Sequence, residues 1–397
     1  LAFVTNAGRS SNGPHLSSRR RRVFAGAEKQ ISAVGIGVVG AFGCGRDDLR
    51  DALTHPQGPN ATVSVRTPHG EENVSAYLCE TTRLGDFVSK KKLRRVDHFS
   101  RMTTLGVALA LEDAALDGFD RSRIGVILAS GYGANETTFR FLNSFIKSGD
   151  KNVSPLLFSG AGQSAALSNT TILLGLTGPL LTVCQPELAS FVALDTAVQW
   201  LRDDRADAVV VGGVEAYFPL RGYVEKSMSP TGAAPEVIEP FNFNDKTFVT
   251  GEGAAFLVLA RGEGASKMSF TRYGTSVSEL YSLPENTLVL VGADGSRCRT
   301  AYADLLECAP NVHWCSCSPA FGGFPASLPM HLAISVLLLN DTTMAFCPDF
   351  SSFSAPPSLA PSIKDQGLRC LEIAESGRYG LACLVQPRCD FSGTKTM

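Results

Sequence analysis

The sequence predicts an α/β layered fold in which helices cover both faces of a sheet. Three observations carry that prediction. Short apolar runs alternate with longer amphipathic ones at regular spacing, and Gly- and Pro-bearing turns separate them. The third is the 38 glycines among 397 residues, which suit tight turns and close packing of helices on strands. With 44% hydrophobic and 19% charged residues, there is ample apolar material for a large core.

Taken in order, residues 31–39 (ISAVGIGVV) read as a buried strand ending in a glycine-rich turn. Gly35, Gly37 and Gly40 spell GxGxxG, the pattern of a dinucleotide-binding turn. The context argues against that use, because the stretch from His55 to Gly70 is polar and bears Pro and Gly. A dinucleotide site needs a strand with a terminal acidic residue there. A basic stretch from Lys91 (KKLRRVDHFSRM) leads into a helix over 103–116, TTLGVALALEDAAL. Residues 123–130 (RIGVILAS) form an apolar strand that ends in the turn Gly131-Tyr132-Gly133. Helices follow at about 135–148 and about 160–174. Gly178-Pro179 breaks the chain, and 180–184 (LLTVC) reads as a buried strand. Residues 188–203 carry the apolar stripe of a helix, and 206–216 (ADAVVVGGVEA) a strand and turn. Beyond 262 the pattern weakens. Strands recur at 287–292, about 311–316 and 380–386, with helices at about 299–307 and 325–338.

Composition excludes several classes. A net charge of −2 gives no general attraction to polyanions. The 11 cysteines contain no CxxC pair, and the single-residue spacing of Cys315 and Cys317 fits no common zinc motif. They read as reduced thiols of a cytoplasmic protein, with no metal and no cofactor expected. No apolar run reaches the roughly 18 residues of a membrane span. The first 27 residues lack Asp and Glu and carry Arg19 to Arg22. Residues 1–29 read as a basic, Ser/Arg-rich, disordered extension: a targeting segment, an artificial addition or a mispredicted start. A nucleic-acid-binding arm is disfavoured because no aromatics interleave the arginines.

Four segments, in this order, carry a family resemblance. They are RRVDHFSRM (94–102), VSPLLFSGAGQSAALSNTTILLGLTGPLLTV (153–183), ADAVVVGGVEA (206–216) and SPTGAAPEVIEPFNFNDKTFVTGEGAAFLVLA (229–260). Together they resemble the β-ketoacyl-ACP synthases, condensing enzymes of the thiolase fold. The resemblance covers about residues 30–262 and fades beyond. It implies a thiolase-like layered αβαβα fold built from two related halves. Residues 30–262 would form the first half, 263–388 a shortened second half and 389–397 a tail.

The resemblance also says which chemistry to look for. A condensing synthase holds the acyl chain on a thiol at a strand-to-helix junction, where the helix N-terminus favours the thiolate. Two histidines assist decarboxylation of malonyl-ACP, and backbone amides form an oxyanion hole. Here the junction reads TVCQPELASFVAL, and matching Val192-Ala193-Leu194 to the family's helix puts Glu187 at the nucleophile position. Cys184 falls three residues early, on the strand, and is expected to be packed in the sheet. The turn Val291-Gly292-Ala293-Asp294-Gly295 has no histidine beside it, and the segment 315–327 has Gly322-Gly323 where the family carries KxxxGH. His313 and His331 lie on a neighbouring strand and helix and replace neither. The last glycine loop is altered to SGRYGLA (376–382).

These departures imply a non-catalytic subunit of the chain-length-factor type, as found in type II polyketide and aryl-polyene systems. Such a pseudoenzyme pairs with an active ketosynthase as a heterodimer and meets an acyl carrier protein. Catalytic residues are then none, and the acyl tunnel or interface would involve Phe139, Phe141, Phe158, Glu187 and Phe191. The alternatives are an acyltransferase of the β-ketoacyl-ACP synthase class, or a malonyl-ACP decarboxylase, with a rearranged site. A carboxylate at Glu187 would repel malonate unless protonated. A homodimer that binds carrier protein without chemistry is a third reading, with the basic patch Lys90 to Arg95 as its docking face.

Overall fold

Alternation of apolar residues and turn chemistry divides the chain as follows. The first half runs β1 (Ile31–Gly40), β2 (Gly43–Cys44), α1 (Arg46–Thr54), β3 (Ala61–Thr67), β4 (Gly70–Ala76), α2 (Leu84–Phe87), α3 (Lys90–Leu93) and α4 (His98–Ala114). It continues through β5 (Ile124–Ser130), α5 (Asn135–Ser148), α6 (Pro155–Gly160), α7 (Ala165–Leu174) and β6 (Leu180–Cys184). It closes with α8 (Ala189–Arg202), β7 (Ala208–Glu215), α9 (Pro219–Ser227) and β8 (Gly253–Arg261). The second half has β9 (Ser266–Gly274), β10 (Leu288–Val291), α10 (Arg299–Cys308), β11 (His313–Cys315), α11 (Leu328–Asn340), β12 (Leu368–Ile373) and β13 (Tyr379–Val385). This computed structural model describes residues 30–67, 70–116, 118–149, 154–227, 237–242, 247–262, 266–281, 283–284, 287–295, 299–309, 312–341, 367–373 and 378–385. The extension 1–29 and the tail 389–397 lie outside the described residues.

The main sheet has the order β11-β10-β12-β13-β9-β1-β8-β7-β5-β6, with β2 paired onto β1. Within each half, the main strands numbered in chain order read three-two-four-five-one. Pairing is parallel among strands two, three and four of each half. It is antiparallel between five and its two neighbours. The halves join at β1 and β9, through Ser32 opposite Lys267 and Ala33 opposite Ser266. One strand plan is therefore used twice.

Side-chain alternation sorts the halves into layers. Ile127 and Ala129 of β5 point into a central core with α8, α11 and the inner face of the second half, including Leu288, Leu290 and Cys370. Val126 and Leu128 point the other way, into a core with α4 and α7. On the far side, Val289, Val291 and Leu371 pack with Tyr302 and Leu305 of α10. This is the expected αβαβα arrangement. Helix α11 is buried over Leu328–Leu339, as a middle layer with sheet on both sides requires. The shortening has a concrete form. Among the described residues between β9 and β10 there is a 3-10 turn, Val277–Leu280, and no helix like α4, which the first half places between β1 and β5.

Several expectations need correction. Strand β6 is not buried: it is the sheet's edge, with Leu180 and Cys184 exposed at its ends. The helix expected over 160–174 starts later, at Ala165, because the chain turns at 161–164 after a separate short helix, α6, that Ser154 caps and Pro155 opens. The polar stretch after His55 contains β3, which pairs with β4 in a separate two-stranded sheet. The helix α4 also begins earlier than its apolar run, because the Asp97 side chain accepts the Ser100 N–H at 3.0 Å.

The GxGxxG run has a packing purpose. A Cβ on Gly37 would stand 2.1 Å from the Gly106 carbonyl oxygen, and one on Gly35 would stand 2.7 Å from that of Ala110. Helix α4 therefore lies backbone-to-backbone on β1, and both glycines sit inside the strand. Replacing Gly37 by Ala should lower stability by about 2 kcal/mol or more, since the obstacle is main chain and cannot rotate away. Gly58→Ala, with nothing within 4 Å of the new methyl group, should be nearly neutral in the same urea titration.

Candidate functional site

The N-terminus of α8 is where the family would place its thiolate. Strand β6 ends at Cys184, and the residue before the helix, Leu188, takes a left-handed conformation with φ 58° and ψ 15°. For a residue with a Cβ this costs on the order of 1 kcal/mol, so the surroundings must enforce it. The first helical amides form a local positive end that attracts anions. Two carboxylates of this chain converge there.

One is Glu187, immediately before Leu188. Its Oε2 accepts a hydrogen bond from Nη2 of Arg378 at 3.4 Å. Both side chains are partly exposed, so the pair contributes less than about 1 kcal/mol. Its effect is positional, tying the altered glycine loop to the head of α8. The other is Glu372 on β12. As a residue Glu372 is only partly covered, but its Oε2 is buried without a hydrogen-bond partner. Burial pushes its carboxyl up to about 8, a bond from the Leu188 backbone N–H opposes the rise, and nearby Glu187 adds to it. Phe191, in the first turns of α8, is buried, and a Cβ on Gly380 would stand 2.4 Å from its ring.

Cys184 is exposed, which corrects the expectation of a thiol packed in the sheet. Its Sγ lies 3.3 Å from Gln163 Oε1 and 3.9 Å from the Gly131 carbonyl oxygen. Partial burial of the sulfur and the charge of Glu215 raise this thiol above its ordinary range, the opposite of nucleophile activation. Glu215 itself is fully buried, and burial pushes its carboxyl up to about 7. It accepts the N–H groups of Gly131 at 2.8 Å and Tyr132 at 3.1 Å and the Ser130 hydroxyl at 3.1 Å, so it fixes the turn beside Cys184.

The histidine positions carry other groups. His313 opens β11, and His331 is buried on α11. Burial drives the His331 imidazole down to about 4, and it stacks edge-on against Phe321. Gly322 is left-handed at φ 82°. The Gly323 carbonyl accepts from Nη2 of Arg221 at 2.8 Å and from the Gly251 N–H at 3.0 Å. This segment is held by backbone contacts.

The expected aromatics separate into two places. Phe141 and Phe158 meet with ring centroids 5.5 Å apart, and Phe139 and Phe158 are exposed, so neither of these two is a core aromatic. Phe191 and Glu187 stand at the head of α8 instead. Sequence reasoning missed Glu372 and the pairing role of Arg378. The signal for Arg378 was present in SGRYGLA. Glu372 sits in an ordinary strand pattern and had none.

The family model for the β-ketoacyl synthase N-terminal domain matches residues 34–265, more than half of the chain. The chain belongs to the β-ketoacyl synthase family. A Staphylococcus aureus protein named 3-oxoacyl-(acyl-carrier-protein) synthase 2 is 28% identical over 262 residues, 63% of this chain and 62% of that protein. Nodulation protein E of a Rhizobium species is 30% identical over 249 residues, 62% of this chain and 61% of its own length. The match thus spans less than two thirds of these curated relatives. Among solved structures, the ishigamide ketosynthase/chain length factor aligns with a TM-score of 0.77 at 14% identity, covering 91% of this chain and 100% of that one. A β-ketoacyl synthase from Burkholderia phymatum aligns with a TM-score of 0.73 at 16% identity, over 91% and 100%. A ketosynthase in complex with its chain length factor from Xenorhabdus doucetiae aligns at 0.68 and 14% identity, over 90% and 98%. At these identities the structural likeness shows the fold. Among the described residues no helix is long and apolar enough to cross a membrane.

The raised carboxyls of this ketosynthase-family protein set a pH dependence. Glu372 and Glu215 have ordinary values near 4.5 and are pushed up to about 8 and about 7. The folded state therefore binds more protons than the unfolded chain across this window. Their contribution to stability is full below about pH 4.5 and is lost as pH rises toward 8. Glu372→Gln should flatten the upper part of that decline, read as the urea midpoint between pH 5 and 8.5; an unchanged slope would contradict the assignment.

Proposed function

We propose that this chain is a non-catalytic ketosynthase-like subunit of the chain-length-factor type. It pairs with an active β-ketoacyl-ACP synthase in fatty-acid or polyketide chain elongation and shapes that partner's acyl tunnel. In this reading residues 30–262 form the ketosynthase-like half and 263–388 its shortened companion. The observation that carries it is the head of α8. Burial and the Leu188 backbone act there on the Glu372 carboxyl, Arg378 bridges to Glu187, and the match of the helix sequence is what assigns Glu187 to the nucleophile position in this reading. A helix N-terminus that faces its own chain's carboxylates is unsuited to activating an acyl thioester's oxygen.

A second observation supports the partner. The edge strand β6 pairs only with β5 among the described strands. Around it, α5 packs on α6, α6 on α7, and both α7 and α8 touch β6. Exposed apolar side chains run along this side: Phe139, Phe145 and Ile146 on α5, Phe158 on α6, Ile172 on α7 and Leu180 on β6. An unpaired sheet edge flanked by exposed apolar residues fits a second ketosynthase subunit. Lys90, Lys91, Lys92, Arg94 and Arg95 are all exposed and suit an acidic carrier protein. The exposure of Cys184 favours the alternative, an acyltransferase with a rearranged site.

Co-expression with active synthases, followed by intact-mass analysis of acyl loading, separates these readings. The expected outcome is a co-purifying complex in which every acyl adduct sits on the partner. An adduct on this chain at Cys184, or carbon dioxide released from malonyl-ACP by this chain alone, would sink the non-catalytic reading.

A further inference from the structure

Away from the head of α8, three residues distant in sequence converge. Cys79 follows β4, His98 opens α4, and Glu252 immediately precedes β8. The thiol sulfur, an imidazole nitrogen and a carboxylate oxygen all lie within 4.8 Å of one another. Cys79 and Glu252 are buried, and the His98 side chain is about one-third exposed. The sequence carries no metal-binding spacing at these positions, so only folding assembles the set.

The Glu252 carboxylate is oriented by the main chain. Its Oε2 accepts the Tyr217 N–H at 2.9 Å, and its Oε1 accepts the Cys79 N–H at 3.0 Å and faces Nε2 of His98 at 2.9 Å. Backbone amides holding a carboxylate in one pose are the kind of outer support that metal ligands require. A histidine–glutamate pair alone accounts for the carboxylate. The Cys79 sulfur completes a triangle with this pair, one donor atom of each residue lying within 4.8 Å of the other two. One sulfur, one nitrogen and one oxygen donor are the ligand types of zinc, at about 2.0–2.3 Å each.

We propose that Cys79, His98 and Glu252 form a binding site for zinc or a similar borderline divalent ion. The ion would join the segment after β4, the start of α4 and the start of β8. Binding displaces the thiol proton of Cys79 and any proton on Nε2 of His98, so uptake releases protons and strengthens as pH rises. The proposal is independent of the reading of Glu187.

The test uses the full chain, stripped with a chelator and titrated with cobalt(II) and then zinc. Cobalt should bind at one equivalent with a sulfur-to-cobalt charge-transfer band, which zinc should abolish. Cys79→Ser should lose the band, and His98→Gln should weaken zinc binding roughly tenfold or more. Cys44→Ser and Cys184→Ser should leave both unchanged. X-ray absorption of the zinc-loaded wild-type chain guards against a misfolded variant. A first shell of one sulfur with nitrogen and oxygen neighbours supports the site. A shell with no sulfur or several sulfurs, a band that survives Cys79→Ser, or no uptake at one equivalent overturns it.

Discussion

Helix α8 is enclosed between two half-sheets, so the free amides at its N-terminus must be met by groups of the chain itself. This requirement organises much of the molecule. The left-handed Leu188 aims its amide at Glu372 of β12, a strand of the other half. Arg378, at the start of β13, reaches Glu187 from the same side. At this junction side chains cross between the halves, Glu372 toward the Leu188 backbone and Arg378 to Glu187. Burial raises the cost of keeping Glu372 charged, while the helix end lowers it; the rise to about 8 says that burial wins.

Buried carboxylates recur wherever polar connections cross the core. Glu215 gathers the turn after β5, and Glu252 gathers the segment after β4 and the segment after β7. Each accepts two backbone N–H groups that would otherwise lack partners in an apolar layer, where an unmade hydrogen bond costs about 1–3 kcal/mol. Arg221 does the complementary work for carbonyls, donating to Gly251 and Gly323. The loops near the head of the sheet are thus fixed by a few ionisable side chains rather than by apolar packing.

Duplication explains the central layer. Helices α8 and α11 occupy equivalent places in the two halves, each joining the third and fourth main strands. Both are apolar toward a sheet on either side. The halves differ most on their outer faces. The first half covers its face with α4, seated on Gly35 and Gly37, whereas the described residues between β9 and β10 of the second half include no equivalent helix.

The sequence by itself determined the alternation of strands and helices and the family. These depend on local periodicity and on ungapped motifs, and β1, α5, α8 and β7 emerged close to their expected bounds. Local pattern was insufficient for β9 and β12, which lie in a degraded half, and for β3, a short polar strand that pairs only with β4 among the described strands. It also misread β6, since an apolar run looks the same at a sheet's centre and at its edge. Only the tertiary structure decided that Glu372 and Arg378 meet Glu187, that Phe139 and Phe158 face outward, and that Cys79, His98 and Glu252 share one place. The reason is physical: such sites are made by residues far apart in the chain, and their spacing in sequence carries no record of the strand order that brings them together.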